Sequence, residues 1–163
     1  MNFHMTKAFR FSTATLIVLG LTLPMVSGSF AATAKTIIPK VTARHGVVPV
    51  IGKPVGAAPK VLTAKDIFLG KGKVATATSI VTAQYVLMSW KSGRVLQSSW
   101  STGPFTSPLS GVIRGWQLGI PGMKAGGRRI LIIPPALAYG AAGGGPVGPN
   151  ETLIFVVDLL GVK

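Results

Sequence analysis

The side chains with chemistry to offer gather between Gly111 and Lys163, and their types point away from covalent catalysis. Val112 and Ile113 precede Trp116, an Ala138-Tyr139-Gly140 step follows, and a Gly/Pro loop then leads to an apolar run around Phe155. No nucleophile stands beside a base in this stretch. Gly143-Gly144-Gly145 is not a phosphate cradle, because no Lys-Ser/Thr pair follows it. The chain has no Cys, which removes thiolate and disulfide chemistry. His4 and His45 are far apart and lie outside the organised part, so a His-based metal or catalytic site is not expected. What these residues can build is a concave apolar pocket with a few polar groups at its rim. Such a pocket acts by shape and by excluding water, with neither metal nor cofactor.

The elements that must position these residues read as several strands and a short helix. Glu151 to Val162 is a terminal strand with Leu153, Phe155, Val157 and Leu159 on one face. Arg128 to Ile133 is a strand stopped by Pro134-Pro135, with Arg128-Arg129 expected at a solvated edge. Val112, Ile113 and Trp116 are spaced for a two-turn helix within Gly111 to Gly119, closed by Pro121-Gly122. Upstream, Val74 to Met88 is strand-like, rich in Val, Thr and Ile, with Tyr85 near its middle. Lys91-Ser92-Gly93 turns the chain into a second strand or bulged segment from Val95 to Trp100, and Gly103-Pro104 turns it again. The sum is an α+β fold, an antiparallel sheet wrapped on one short helix.

Three segments differ in texture. Residues 1–34 have the grammar of a signal peptide: Lys7 and Arg10, an apolar run from Phe11 to Val26, then small residues ending in Ala32-Thr33-Ala34. The run is short for a membrane span, so the mature protein is expected to be exported, to a bacterial cell envelope or the exterior, with no stable span after cleavage. Residues 35–58 carry Pro39, Pro49 and Pro54 among Gly, Val, Ala and scattered bases, and read as a flexible extended linker. Residues 59–163 form the domain. Seventeen Lys and Arg face three acids, Asp66, Glu151 and Asp158. Such a field suits an anionic partner such as a cell-envelope polymer, or simply solubility. No basic stripe interleaved with aromatics is present, so nucleic acid is not expected.

Four motifs in order carry a family likeness: Val112-Ile113-Arg114-Gly115-Trp116; Gly122-Met123-Lys124 with Gly126 to Arg129; Ile133-Pro134-Pro135 with Ala138-Tyr139-Gly140; and Pro149-Asn150 with Thr152, Leu153, Phe155, Val157, Leu159 and Leu160. From Pro59 to Lys163 the chain resembles the FKBP-type peptidyl-prolyl cis-trans isomerases, especially exported bacterial forms. The resemblance implies a twisted antiparallel half-barrel sheet around the helix, with the pocket between them. It implies Trp116 as the floor, Val112 and Ile113 along the side with the Ile113 N–H free for a substrate carbonyl, and Tyr139 lending its hydroxyl at the rim. Tyr85, Phe155 and Phe105 would be aromatic walls, and Val147 would sit on a loop overhanging the pocket. Where the family usually has a Phe-Asp pair, this chain has Leu96-Gln97, which removes a ring and a carboxylate. The implied clients are polypeptides with X–Pro bonds, and a macrolide inhibitor is an implied ligand. The alternative is a holder of Pro-containing segments with little turnover.

Overall fold

The computed structural model describes residues 37–163, so the expected signal segment lies outside the described residues. Their strands are β1 (Thr63–Phe68), β2 (Ile80–Ser89), β3 (Val95–Ser98), β4 (Phe105–Pro108), β5 (Arg128–Ile133) and β6 (Leu153–Val162), with one short helix, α1 (Arg114–Gly119). They form a six-stranded antiparallel sheet in the order β1-β5-β6-β2-β3, with β4 also pairing β2. β6 lies between β5 and β2 and pairs with both along most of its length.

The alternation expected of β6 holds. Leu153, Phe155, Val157 and Leu159 enter one core with Leu87, Leu131, Ile133 and Trp116. Ile154 and Val156 point the other way, into a second core with Ile130, Ile132, Met88 and Trp90. A run of apolar residues without polar alternation is the mark of a strand buried on both faces.

At the sheet edge, β4 pairs the first half of β2 and β3 pairs the second half. Between them the chain bulges at Ser99: its N–H bonds the Tyr85 carbonyl at 3.0 Å, and its hydroxyl accepts the Tyr85 N–H at 2.8 Å. β4 was readable only as the exit of a turn, being four residues long and largely exposed. β2 starts at Ile80, later than the Val-rich sequence suggests; Val74 makes an isolated bridge to Lys124 instead.

The expected two-turn helix is split. A 3₁₀ turn covers Leu109–Gly111, Ile113 is extended at ψ 149°, and only Arg114–Gly119 is α-helical. Two glycines one turn apart let α1 lie directly on β5. A Cβ on Gly115 would come 2.3 Å from Ile133 Cγ2, and one on Gly119 would come 2.7 Å from Leu131 Cδ2. Trp116, one position past Gly115, is thereby held against the sheet and buried.

Residues 35–58 do not behave as the expected flexible linker where they are described. Isolated bridges join Ile37 to Val55 and Val41 to Ile51, a loose hairpin. Its Ile51 is buried in the second core, with Ile38, Val41 and Ala58 packed against it. Prolines forbid a continuous ladder here but not packing through side chains. Nor is Arg128 a solvated edge residue. It is fully buried, its guanidinium paired with Asp158 (Nη2 to Oδ2, 2.7 Å) and donating to the carbonyls of Thr42 at 2.8 Å and Val47 at 2.7 Å. A buried cation must have its donors satisfied, and the hairpin supplies the acceptors the sheet lacks. Arg129, on the opposite face, pairs with Asp66 and donates to the Gly119 carbonyl at 2.8 Å, tying the end of α1 to β5.

Candidate active site

Each wall of the site comes from a different element. β2 supplies Tyr85, β6 supplies Phe155, β4 supplies Phe105 and α1 supplies Trp116. The extended pair Val112-Ile113 reaches the cavity from the break between the 3₁₀ turn and α1, and Gln97 and Tyr139 join from β3 and from the loop after β5. Together they enclose an open cavity of about 310 Å³.

Its aromatic side chains form a contiguous cluster. Tyr85 meets Trp116 at 5.6 Å between ring centres and Phe105 at 6.2 Å, both nearly perpendicular, and Phe155 at 5.9 Å. Trp116 meets Phe155 at 5.5 Å and Phe105 at 6.0 Å, again edge to face. Edge-to-face pairs at these distances each add about 0.5–1.5 kcal/mol beyond the area buried, which keeps the walls rigid. The indole N–H of Trp116 is buried and has no acceptor among the described residues.

The polar groups of the site are unspent. Among the described residues, the Ile113 N–H, the Tyr139 hydroxyl and the Gln97 amide make no hydrogen bond within the protein. The lining holds no carboxylate, imidazole, ammonium or guanidinium. Burial, and secondarily the nearby Tyr139 phenol, raise the pKa of Tyr85 above the usual tyrosine value. Tyr85 can therefore serve as a neutral hydrogen-bond donor.

Tyr139 is placed by the Gly/Pro loop. A Cβ on Gly144 would lie 3.0 Å from Tyr139 Cδ1, so the absence of a side chain lets the loop backbone lie close against the ring. Gly144 and Val147 exchange backbone hydrogen bonds of 2.9 and 3.0 Å. Glu151 then anchors the loop, accepting from the Gly148 N–H at 2.9 Å and from the Ser89 hydroxyl on β2.

Against the sequence reading, the structure brings Tyr85, Phe105, Trp116 and Phe155 into one cavity with Val112, Ile113, Gln97 and Tyr139. It leaves two expected residues off the wall. Val147 is not among the lining residues: it is buried in the core cluster that also holds Trp116 and Phe155. Leu96 packs against that core, and its neighbour Gln97 takes the position on the wall. Gly111 also lines the cavity, and sequence reasoning missed it because it contributes backbone alone.

Residues 71–160, more than half of the chain, match the family described as FKBP-type peptidyl-prolyl cis-trans isomerase. A probable FK506-binding protein of Corynebacterium glutamicum is 46% identical over 113 residues, covering 69% of this chain and 96% of that protein. Among solved structures, AtFKBP13 superposes with a TM-score of 0.59 at 34% identity, covering 65% of this chain and 96% of that one. FkpA of Escherichia coli superposes with a TM-score of 0.59 at 38% identity, covering 63% of this chain and 48% of that longer one.

Proposed function

The chain belongs to the FKBP-type peptidyl-prolyl cis-trans isomerases, and on that basis we propose that it isomerises X–Pro bonds of exported proteins in the cavity under α1. The observation that carries the site is the joining of four aromatic rings with an unpaired Ile113 N–H and an unpaired Tyr139 hydroxyl.

Rotation about a peptide bond breaks amide resonance, a barrier of about 18–20 kcal/mol. Uncatalysed X–Pro exchange takes on the order of tens to hundreds of seconds. As the bond twists, the carbonyl loses its polarised resonance form, so the twisted imide is less polar than the planar one. An apolar, water-poor cavity therefore disfavours the planar state more than the twisted state. The proline ring would rest on Trp116 between Tyr85 and Phe155. The Ile113 N–H and Tyr139 hydroxyl would hold flanking carbonyls and fix the direction of rotation. No proton is transferred and no covalent bond is made, in keeping with a lining that offers no base or nucleophile.

The FK506 named for the Corynebacterium relative would compete for the same cavity. The basic n-region, apolar run and Ala32-Thr33-Ala34 of the leader support export, and the excess of Lys and Arg supports contact with anionic envelope polymers. One feature favours a holder with weak turnover instead: Gln97 stands on the wall where the family resemblance leads one to expect a carboxylate.

A protease-coupled X–Pro peptide assay on the chain starting at Lys35 tests the reading. Wild type is expected to exceed the uncatalysed rate. Trp116→Leu should lower kcat/KM by about tenfold or more, and Tyr139→Phe by a few-fold, as one net hydrogen bond is worth about 0.5–1.5 kcal/mol. Folded variants with wild-type turnover would remove these residues from the site, and wild-type turnover equal to buffer would remove the enzymatic reading.

A further inference from the structure

The cavity wall is uncharged, but the residue that follows it at the start of α1 is not. Arg114 follows the wall residue Ile113 and is exposed. Its Nη1 donates to Gln117 Oε1 at 3.0 Å, and Gln117 Nε2 donates in turn to the carbonyl of Val112 at 2.8 Å. The guanidinium thus stands two hydrogen bonds from the backbone of the cavity wall, oriented by a side chain that also holds that wall.

No carboxylate neutralises it. The sequence contains three acids, and each is committed elsewhere. Asp158 pairs with Arg128, Asp66 pairs with Arg129, and Glu151 is taken by Ser89 and the Gly148 N–H. The remaining Lys and Arg of the described chain have no carboxylate partner. Next along the chain from the cavity wall, α1 therefore carries a guanidinium without a carboxylate partner, held through Gln117 to the Val112 carbonyl. Opposite charges near such a wall raise the local concentration of an anionic ligand, and like charges lower it. The unbonded Gln97 amide adds neutral N–H donors on the wall.

We infer that the site selects X–Pro bonds flanked by acidic residues, with Arg114 as the specificity-determining cation. The inference rests on reading this cavity as the prolyl site, and it names the class of client segment: an acidic peptide, with basic segments disfavoured.

Three peptides alike except for one position two residues from the proline, carrying glutamate, glutamine or lysine there, test it. Both kcat/KM and binding, read by quenching of indole fluorescence, are measured at about 20 mM and about 0.5 M salt. At low salt the glutamate peptide should be favoured over the glutamine peptide about twofold to fivefold and the lysine peptide disfavoured, with the differences shrinking at high salt. In Arg114→Gln the glutamate-to-glutamine ratio should fall toward one. In Lys40→Gln, which removes an equal charge from the hairpin behind the sheet, the ratio should persist. Equal rates and affinities for the three peptides, a ratio unchanged in Arg114→Gln, or a ratio lost equally in Lys40→Gln would each overturn the inference. A chain that prefers the acidic peptide in binding but turns over none would overturn the isomerase reading while upholding the charge selection.

Discussion

Tyr85 and Tyr139 are the titratable side chains on the cavity wall. Burial, and then the neighbouring phenol, hold Tyr85 above the usual tyrosine value, so it stays protonated through neutral and mildly alkaline solution. The expected pH profile of kcat/KM is flat between about pH 6 and 9, and an inflection near neutrality would show that a group outside this wall takes part. For stability, the folded chain binds the Tyr85 proton more tightly than the unfolded chain does. That contribution is complete below the ordinary tyrosine pKa and is lost as pH rises through the raised folded value. The ring positions were legible in the sequence because their joint spacing, rather than any single aromatic, carries the signal. The wall role of Gln97 was legible too, as a substitution in a known place. The burial of Val147 was not legible, because a Gly/Pro loop gives no periodicity from which to read the direction of a side chain.

At the scale of elements, α1 depends on what its neighbours lack. Gly115 packs so closely on Ile133 that a methyl group there must displace either the helix or the Ile133 side chain. Gly115→Ala is expected to cost about 1–3 kcal/mol by overpacking and to lower kcat/KM by lifting Trp116 from the floor. Thermal melts with the X–Pro assay measure both effects, and adding Ile133→Ala to the variant should restore part of the turnover by making room. An unaltered melt and rate would show that the helix sits looser than its contacts imply. β5 and β6 were readable because a run of branched apolar residues between prolines or glycines has few other uses. β4 was not, since four residues, three of them exposed, pair only because β2 offers an open edge after the Ser99 bulge. The break in the helix at Ile113 was likewise hidden: the apolar spacing suits a helix, and it is the extended backbone at Ile113 that leaves its N–H unpaired.

For the whole molecule, the sheet is covered on both faces, and the second cover comes from a stretch whose composition reads as spacer. Proline content tells against regular structure but is silent about whether Ile51 finds a hydrophobic seat or whether backbone carbonyls find a buried guanidinium. A chain beginning at residue 59 should therefore unfold at lower urea than one beginning at 35, by about 2 kcal/mol or more given the apolar area uncovered. Arg128→Met, which strands Asp158, should lose about 3–5 kcal/mol. Equal urea midpoints for the two chain lengths would show that the hairpin rests on the sheet without stabilising it. Those same contacts order events in time. The carbonyls of Thr42 and Val47 are translated early, yet the cation they bind lies more than eighty positions downstream. A nascent chain emerging from a ribosome must keep the hairpin undocked until β5 and β6 have followed it out, so a segment made early is seated late.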